Sequence, residues 1–201
     1  GLGDVYKRQV SILPLRSLVE EIVGDDFKIE VLVPLGASPE TFEPTPRQFI
    51  GLNRAEMIFN VGLIDFETTL LSKIEERGKV VNLSQGIELI AGSCSHACTH
   101  AEQETSGGHG TSHAETHNHS HAHGVDPHVW TSPRALQKMA QNAYAAIRRA
   151  YPDSVKYETN YKRLQADLRA LDARTGEKIA QSGIEYFIIC LLYTSPSPRD
   201  I

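Results

Sequence analysis

Between positions 10 and 83, strand-sized apolar runs alternate with helix-sized amphipathic ones, joined by short connections. Few architectures accept that alternation. Val10 to Leu13 reads as a buried strand. A helix follows, with Leu15, Leu18, Val19, Ile22 and Val23 on one face and Gly24 at its end. Phe27, Ile29, Val31 and Val33 alternate with polar neighbours, which is strand periodicity. Helices are expected over about 47–54 and 66–77. Strands are expected at Met57–Val61 and at Val80, Val81 and Leu83. Alternation of this kind predicts the α/β class, a parallel sheet covered by helices. Such sheets bind ligands beyond the carboxyl ends of their strands.

The Phe27–Val33 strand runs at such an end into Pro34-Leu35-Gly36-Ala37-Ser38-Pro39-Glu40-Thr41-Phe42-Glu43-Pro44-Thr45-Pro46. Its prolines forbid regular structure, so this is an ordered loop. Ser132-Pro133 starts a helix, with Ser as cap, that ends near Ala150. A second helix is expected over 153–182, with Tyr157, Tyr161, Leu164, Leu168, Leu171 and Ile179 on one stripe. At 1.5 Å per residue it is roughly 40 Å long, enough to run from one lobe to another. Gly176 leaves open two shorter helices instead. Residues 183–189 are expected to supply the first strand of a truncated second lobe. Gly1 to Gln9 and Cys190 to Asp200 resemble translated sequencing-adapter read-through. Segments 1–9 and 190–201 are therefore read as non-native and set aside from the fold.

Eight histidines fall in 91–124: His96, His100, His109, His113, His117, His119, His121 and His123. The ninth is His128. The segment 91–124 is otherwise rich in Ser, Thr, Gly and Ala, and too poor in large apolar side chains to order itself. Between Lys79 and Arg134 there is no Lys or Arg, while Glu102, Glu104 and Glu115 add negative charge. A mobile, anionic, imidazole-dense loop should collect divalent cations at several weak sites. Cys94 and Cys98 open the loop; their spacing permits a disulfide, thiolate ligation or neither. His128 differs from the eight. It lies in Asp126-Pro127-His128-Val129-Trp130, between Pro127 and Pro133, so its backbone is held. Glu40 sits in the Pro-rich loop, and a carboxylate is an acceptable zinc ligand.

The net charge of −5 argues against a nucleic-acid partner. No apolar run approaches the roughly 20 residues of a membrane span. A zinc hydrolase would need an ordered three-ligand site, and no His-Glu-x-x-His occurs. A nucleotide-driven metallochaperone would show a Gly-x-x-x-x-Gly-Lys-Ser/Thr loop, which is also missing. A His-rich storage or chaperone protein remains the main alternative. It would not need the held Pro127-His128-Val129-Trp130 segment.

Ser11-Ile12-Leu13-Pro14-Leu15, Val33 to Pro39 with Phe42 to Pro46, and Asp126 to Trp130 together resemble the zinc and manganese receptors of bacterial ABC importers. The resemblance covers about 10–189. It implies two α/β lobes joined by a long helix, with the ion held between them. Here 10–132 would be the amino-terminal lobe, 133–150 its last helix and 153–182 the connector. It implies His128 as one metal ligand. Glu40 stands where the family usually has a histidine. The remaining ligands would come from the second lobe. Zinc is the implied cargo, with manganese second. The implied partner is a membrane permease. The implied form is a non-enzymatic monomer, periplasmic or lipid-anchored outside the inner membrane, with its export signal upstream.

Overall fold

The structure, a computed structural model, describes residues 7–39, 42–89 and 125–183. The chain divides into two compact units, one formed by 1–87 with 127–201 and the other by 88–126. Every helix and strand among the described residues belongs to the first.

Four parallel strands form one sheet: β1 (Lys7–Val10), β2 (Lys28–Val31), β3 (Met57–Asn60) and β4 (Val80–Asn82). Their spatial order is β2-β1-β3-β4. The chain steps outward from β1 to β2, then crosses back to β3 on the other side. The point where strand order reverses therefore lies between β1 and β3. In open sheets of this kind, ligands bind beyond the carboxyl ends of the strands at such a point. Val10, Ile58, Phe59 and Ile29 are buried in the sheet, as parallel strands covered on both faces require.

Helix α1 (Leu13–Val23) buries the five side chains of its expected face, and Gly24 closes it at φ 64°. The strand before it is displaced from expectation. It spans Lys7–Val10, so Arg8 and Gln9, from the segment expected to lie outside the fold, are buried in the central strand. The reason is local. Pro14 stands in the first turn of α1 and starts the helix at Leu13. The ladder can then run only as far as Ser11, whose N–H donates to the Phe59 carbonyl at 3.0 Å. Arg8 is accommodated by stacking over Phe27, by its ion pair with Glu56 at 2.8 Å and by the Tyr151 hydroxyl.

Helix α2 (Pro46–Arg54) starts with a capping box between Thr45 and Gln48. Helix α3 (Asp65–Leu71) is shorter than the 66–77 span expected. The apolar spacing continues to Ile74, but tight turns bring that side chain into the core without further helix. Helices α4 (Pro133–Ala150) and α5 (Val155–Ser182) match expectation. Ser132 caps α4, and α5 runs unbroken through Gly176. At 28 residues, α5 is about 42 Å long. It packs on α4 through the stacked rings of Tyr144 and Tyr161, 4.3 Å apart. It packs on α1 through Asn160, which donates to the Ile22 carbonyl. Its apolar stripe is buried only as far as Leu168; Leu171 and Ile179 are about 40% exposed.

The direction of α4 bears on the site. Asn142 donates to the carbonyls of Leu83 and Gln85, just beyond β4, both at 2.8 Å. Earlier in the helix, Lys138 abuts Gly86. Later, Tyr144, Ala145, Arg148 and Arg149 border one cavity with Gly78, Val80 and Val81. The helix thus runs opposite to the strand, and its amino end reaches past the carboxyl edge of the sheet.

Candidate metal centre at the carboxyl edge

His128 precedes that amino end. Its carbonyl accepts from the Thr131 N–H at 3.1 Å and from the Thr131 hydroxyl at 2.7 Å. The Val129 N–H donates to the Pro127 carbonyl at 2.9 Å, and residues 129–131 form a single 3-10 turn. The segment is therefore fixed on both sides of the imidazole. The ring lies edge-on to Trp130, with centroids 5.2 Å apart, and is half-buried. Val129 and Trp130 pack against the core, which anchors the turn. A pinned backbone and a partly covered, partly accessible ring suit ligation by neutral imidazole.

The Pro-rich loop leaves the same edge. The Leu32 and Val33 N–H groups still donate to Val10 and Ser11, so the loop begins where β1 ends. Its far side is held by Phe42, whose ring meets Phe66 edge-on at 5.5 Å. Phe66 lies in the first turn of α3, directly after β3. Pro39 is buried at the near side. Glu40 itself lies outside the described residues. So do Cys94, Cys98 and the eight histidines from His96 to His123. Among the described residues, no three His, Cys, Asp or Glu side chains converge on one point.

Glu67 was not singled out in the sequence, yet it is the most deeply buried acid at this edge, with none of its surface exposed. Its two carboxylate oxygens accept from the Val61 N–H at 3.0 Å and the Gly62 N–H at 2.6 Å. The carboxyl also faces Ser11 and the Ile64 backbone. Ile64 is the cap residue of α3 and has no side chain able to cap it, so Glu67, three positions on, reaches back in its place. Burial pushes the Glu67 carboxyl above its ordinary range, and the contacts with Ser11, Val61, Gly62 and Ile64 offset only part of that rise. Gly62 is required here. Its φ is +80°, and a Cβ would stand 2.4 Å from the Asn82 amide. A glycine after a strand, followed by an acid at the third helical position, was the available signal.

The comparisons with known proteins agree with this frame. Residues 9–189 match the family described as the periplasmic zinc-uptake complex component A, ZnuA. The chain belongs to that family. It is 33% identical over 185 residues to the high-affinity zinc uptake system protein ZnuA of Bacillus subtilis (strain 168), covering 89% of this chain and 54% of that protein. It is 24% identical over 179 residues to the zinc-binding lipoprotein AdcA of Streptococcus pneumoniae serotype 4, covering 87% of this chain and 33% of that one. Among solved structures, a ZnuA deletion mutant with zinc bound superposes at a TM-score of 0.67 and 27% identity, covering 87% of this chain and 58% of that one. Zn(II)-bound AdcA from Streptococcus pneumoniae superposes at 0.68, covering 89% of this chain and 33% of that one. At 19% identity that likeness is one of fold alone. The chain spans about half the length, or less, of the curated relatives it matches. Its parallel sheet and covering helices correspond to one lobe of the ZnuA-like proteins.

Proposed function

We propose that this chain captures zinc at the carboxyl edge of its sheet and delivers it to the permease of an ABC importer. The observation that carries the proposal is the held His128 turn, just ahead of the helix whose Asn142 is bonded to the residues after β4, in a chain of the ZnuA family. His128 supplies a nitrogen and Glu40 an oxygen; zinc accepts both. The remaining ligands come from the second lobe that the longer relatives have room for. Capture of this kind needs no covalent step, so the chain is a receptor and not an enzyme. The histidines of 91–124 gather the cation at weaker sites. Manganese is a second cargo; one neighbour of the same fold, at 21% identity, was solved with Mn2+. Another relative is named as a metal ABC transporter substrate-binding lipoprotein, which supports a permease partner and a place outside the inner membrane. Among the described residues, no helix is long and apolar enough to cross a membrane.

Calorimetric titration with zinc tests this reading. The intact chain should take up several ions, and deletion of 91–125 should leave one weak site. His128→Ala in the deleted form should abolish that site. Unchanged stoichiometry after the deletion, or a site indifferent to His128→Ala, would overturn the assignment. Because the ligands must be deprotonated to bind, acidification should weaken uptake at every site.

A further inference from the structure

We infer that Trp130 is a positioning residue for the proposed metal ligand: its indole, seated on the core, holds the His128 imidazole in the orientation from which it takes up zinc. This rests on the reading that His128 is a zinc ligand. An imidazole on a fixed backbone still turns about two side-chain bonds, and ligation must freeze both. Two neighbours share that work. Thr131 fixes the backbone. Its N–H and its hydroxyl both donate to the His128 carbonyl, at 3.1 and 2.7 Å, so the imidazole leaves the chain in one direction. Trp130 restrains the ring. The two ring centroids are 5.2 Å apart and the planes cross at 65°, close to the edge-to-face geometry that aromatic pairs prefer. The indole has its own support. It packs against the core with Val129, in the 3-10 turn of residues 129–131 that leads into the Ser132 cap of α4. The two rings are two residues apart in one short turn, so the contact forms without help from a distant loop. Both residues are half-buried, which leaves part of the imidazole open to an incoming ion. Trp130 does not touch the cation in this scheme. It acts through His128, by removing in advance the freedom that the ring would lose on binding.

The experiment follows the His128 imidazole protons by NMR in the full 201-residue chain during titration with zinc alone, the protons being assigned by their loss in His128→Asn. Trp130 is the only tryptophan of the chain, so its indole protons identify themselves. Nuclear Overhauser peaks should join imidazole and indole before zinc is added and should persist afterwards. In Trp130→Leu, which stays apolar, the zinc midpoint read at His128 should rise about three- to tenfold, the cost of ordering one side chain only on binding. Trp130→Phe, which keeps an aromatic ring, should recover most of that loss at whatever urea stability the two variants show. A merely structural role would instead make each zinc midpoint follow the stability of its variant. Should Trp130→Leu fail to fold, the unaltered chain decides alone: absence of the ring-to-ring peaks before zinc arrives would overturn the positioning role. Equal zinc midpoints in folded Trp130→Leu and the unaltered chain would overturn it too, and leave the site standing. A His128 signal indifferent to zinc in the unaltered chain would remove the site, and the positioning role with it.

Discussion

Glu67 is a carboxylate that the fold desolvates and then satisfies with backbone donors, and its two effects pull in opposite directions. Its hydrogen bonds to the Val61 and Gly62 N–H groups are of the charge-assisted kind. Burial outweighs them, since the carboxyl is pushed upward overall. A folded-state value above the unfolded one means that the folded protein binds the proton more tightly. The linked stability is then complete below the ordinary carboxyl value of 4.5 and declines as pH rises through the raised one. Glu67→Gln cannot titrate, and its amide sets an N–H group against one of the two backbone donors. We expect it to lower stability by about 1–3 kcal/mol, the usual cost of an unpaired buried group. Urea unfolding at a series of pH values should show that deficit largest in acid and narrowing toward neutral pH. A pH-independent deficit would mean that Glu67 ionises normally. The fixed turn at His128 was legible in the sequence because two prolines and a tryptophan surround it. Glu67 was not, because an acid early in a helix usually serves solvent and the helix dipole; only the fold shows it turned inward.

The helices could be read from periodicity because their burial is one-sided. The five apolar residues of α1 recur at helical spacing and are the five that the fold buries. The Ser-Pro start at Ser132 marks a true helix start, whereas the capping box at Thr45 starts α2 inside the segment expected to be loop. Two departures from the pattern share one cause. The apolar run Val10–Leu13 predicts a strand, and an apolar spacing predicts a helix over 66–77. The backbone instead turns early in each case, at Ser11 before Pro14 and at Ser72 after Leu71. Burial can be achieved by a turn as well as by a regular element, so hydrophobicity alone places the residue and not the conformation. Gly176 leaves a measurable trace of the alternative it allowed. It sits in the exposed half of α5, and a Cβ there meets nothing within 4 Å. Gly176→Ala should therefore stabilise that half locally by about 0.8–1 kcal/mol, the helix-propensity difference. Amide exchange over residues 172–182 should slow by roughly fivefold while the global unfolding midpoint moves little. No change in exchange would show that this stretch is held by something other than its own helical bonds.

At the scale of the molecule, the two features proposed to bind zinc fall in different units. The held imidazole, the edge where strand order reverses and the buried Glu67 all belong to the first unit. The eight histidines of 91–124 belong to the second. None of the four strands and none of the helices named above draws on 88–126. A separation of this kind predicts that one unit can be removed without the other. Joining residue 90 to residue 126 shortens a connection, and chain-closure entropy depends only weakly on length, at about 0.6 kcal/mol per doubling. The shortened chain should therefore unfold in urea within about 1 kcal/mol of the intact one, with the same helical circular-dichroism signal. Its zinc capacity should fall to the single site that includes His128. These two readouts are independent, which makes the outcome decisive. Loss of cooperative unfolding would show that the first unit leans on the second. Retained capacity with intact folding would place the cation sites on the sheet-bearing unit and leave the histidines of 91–124 without a role in binding.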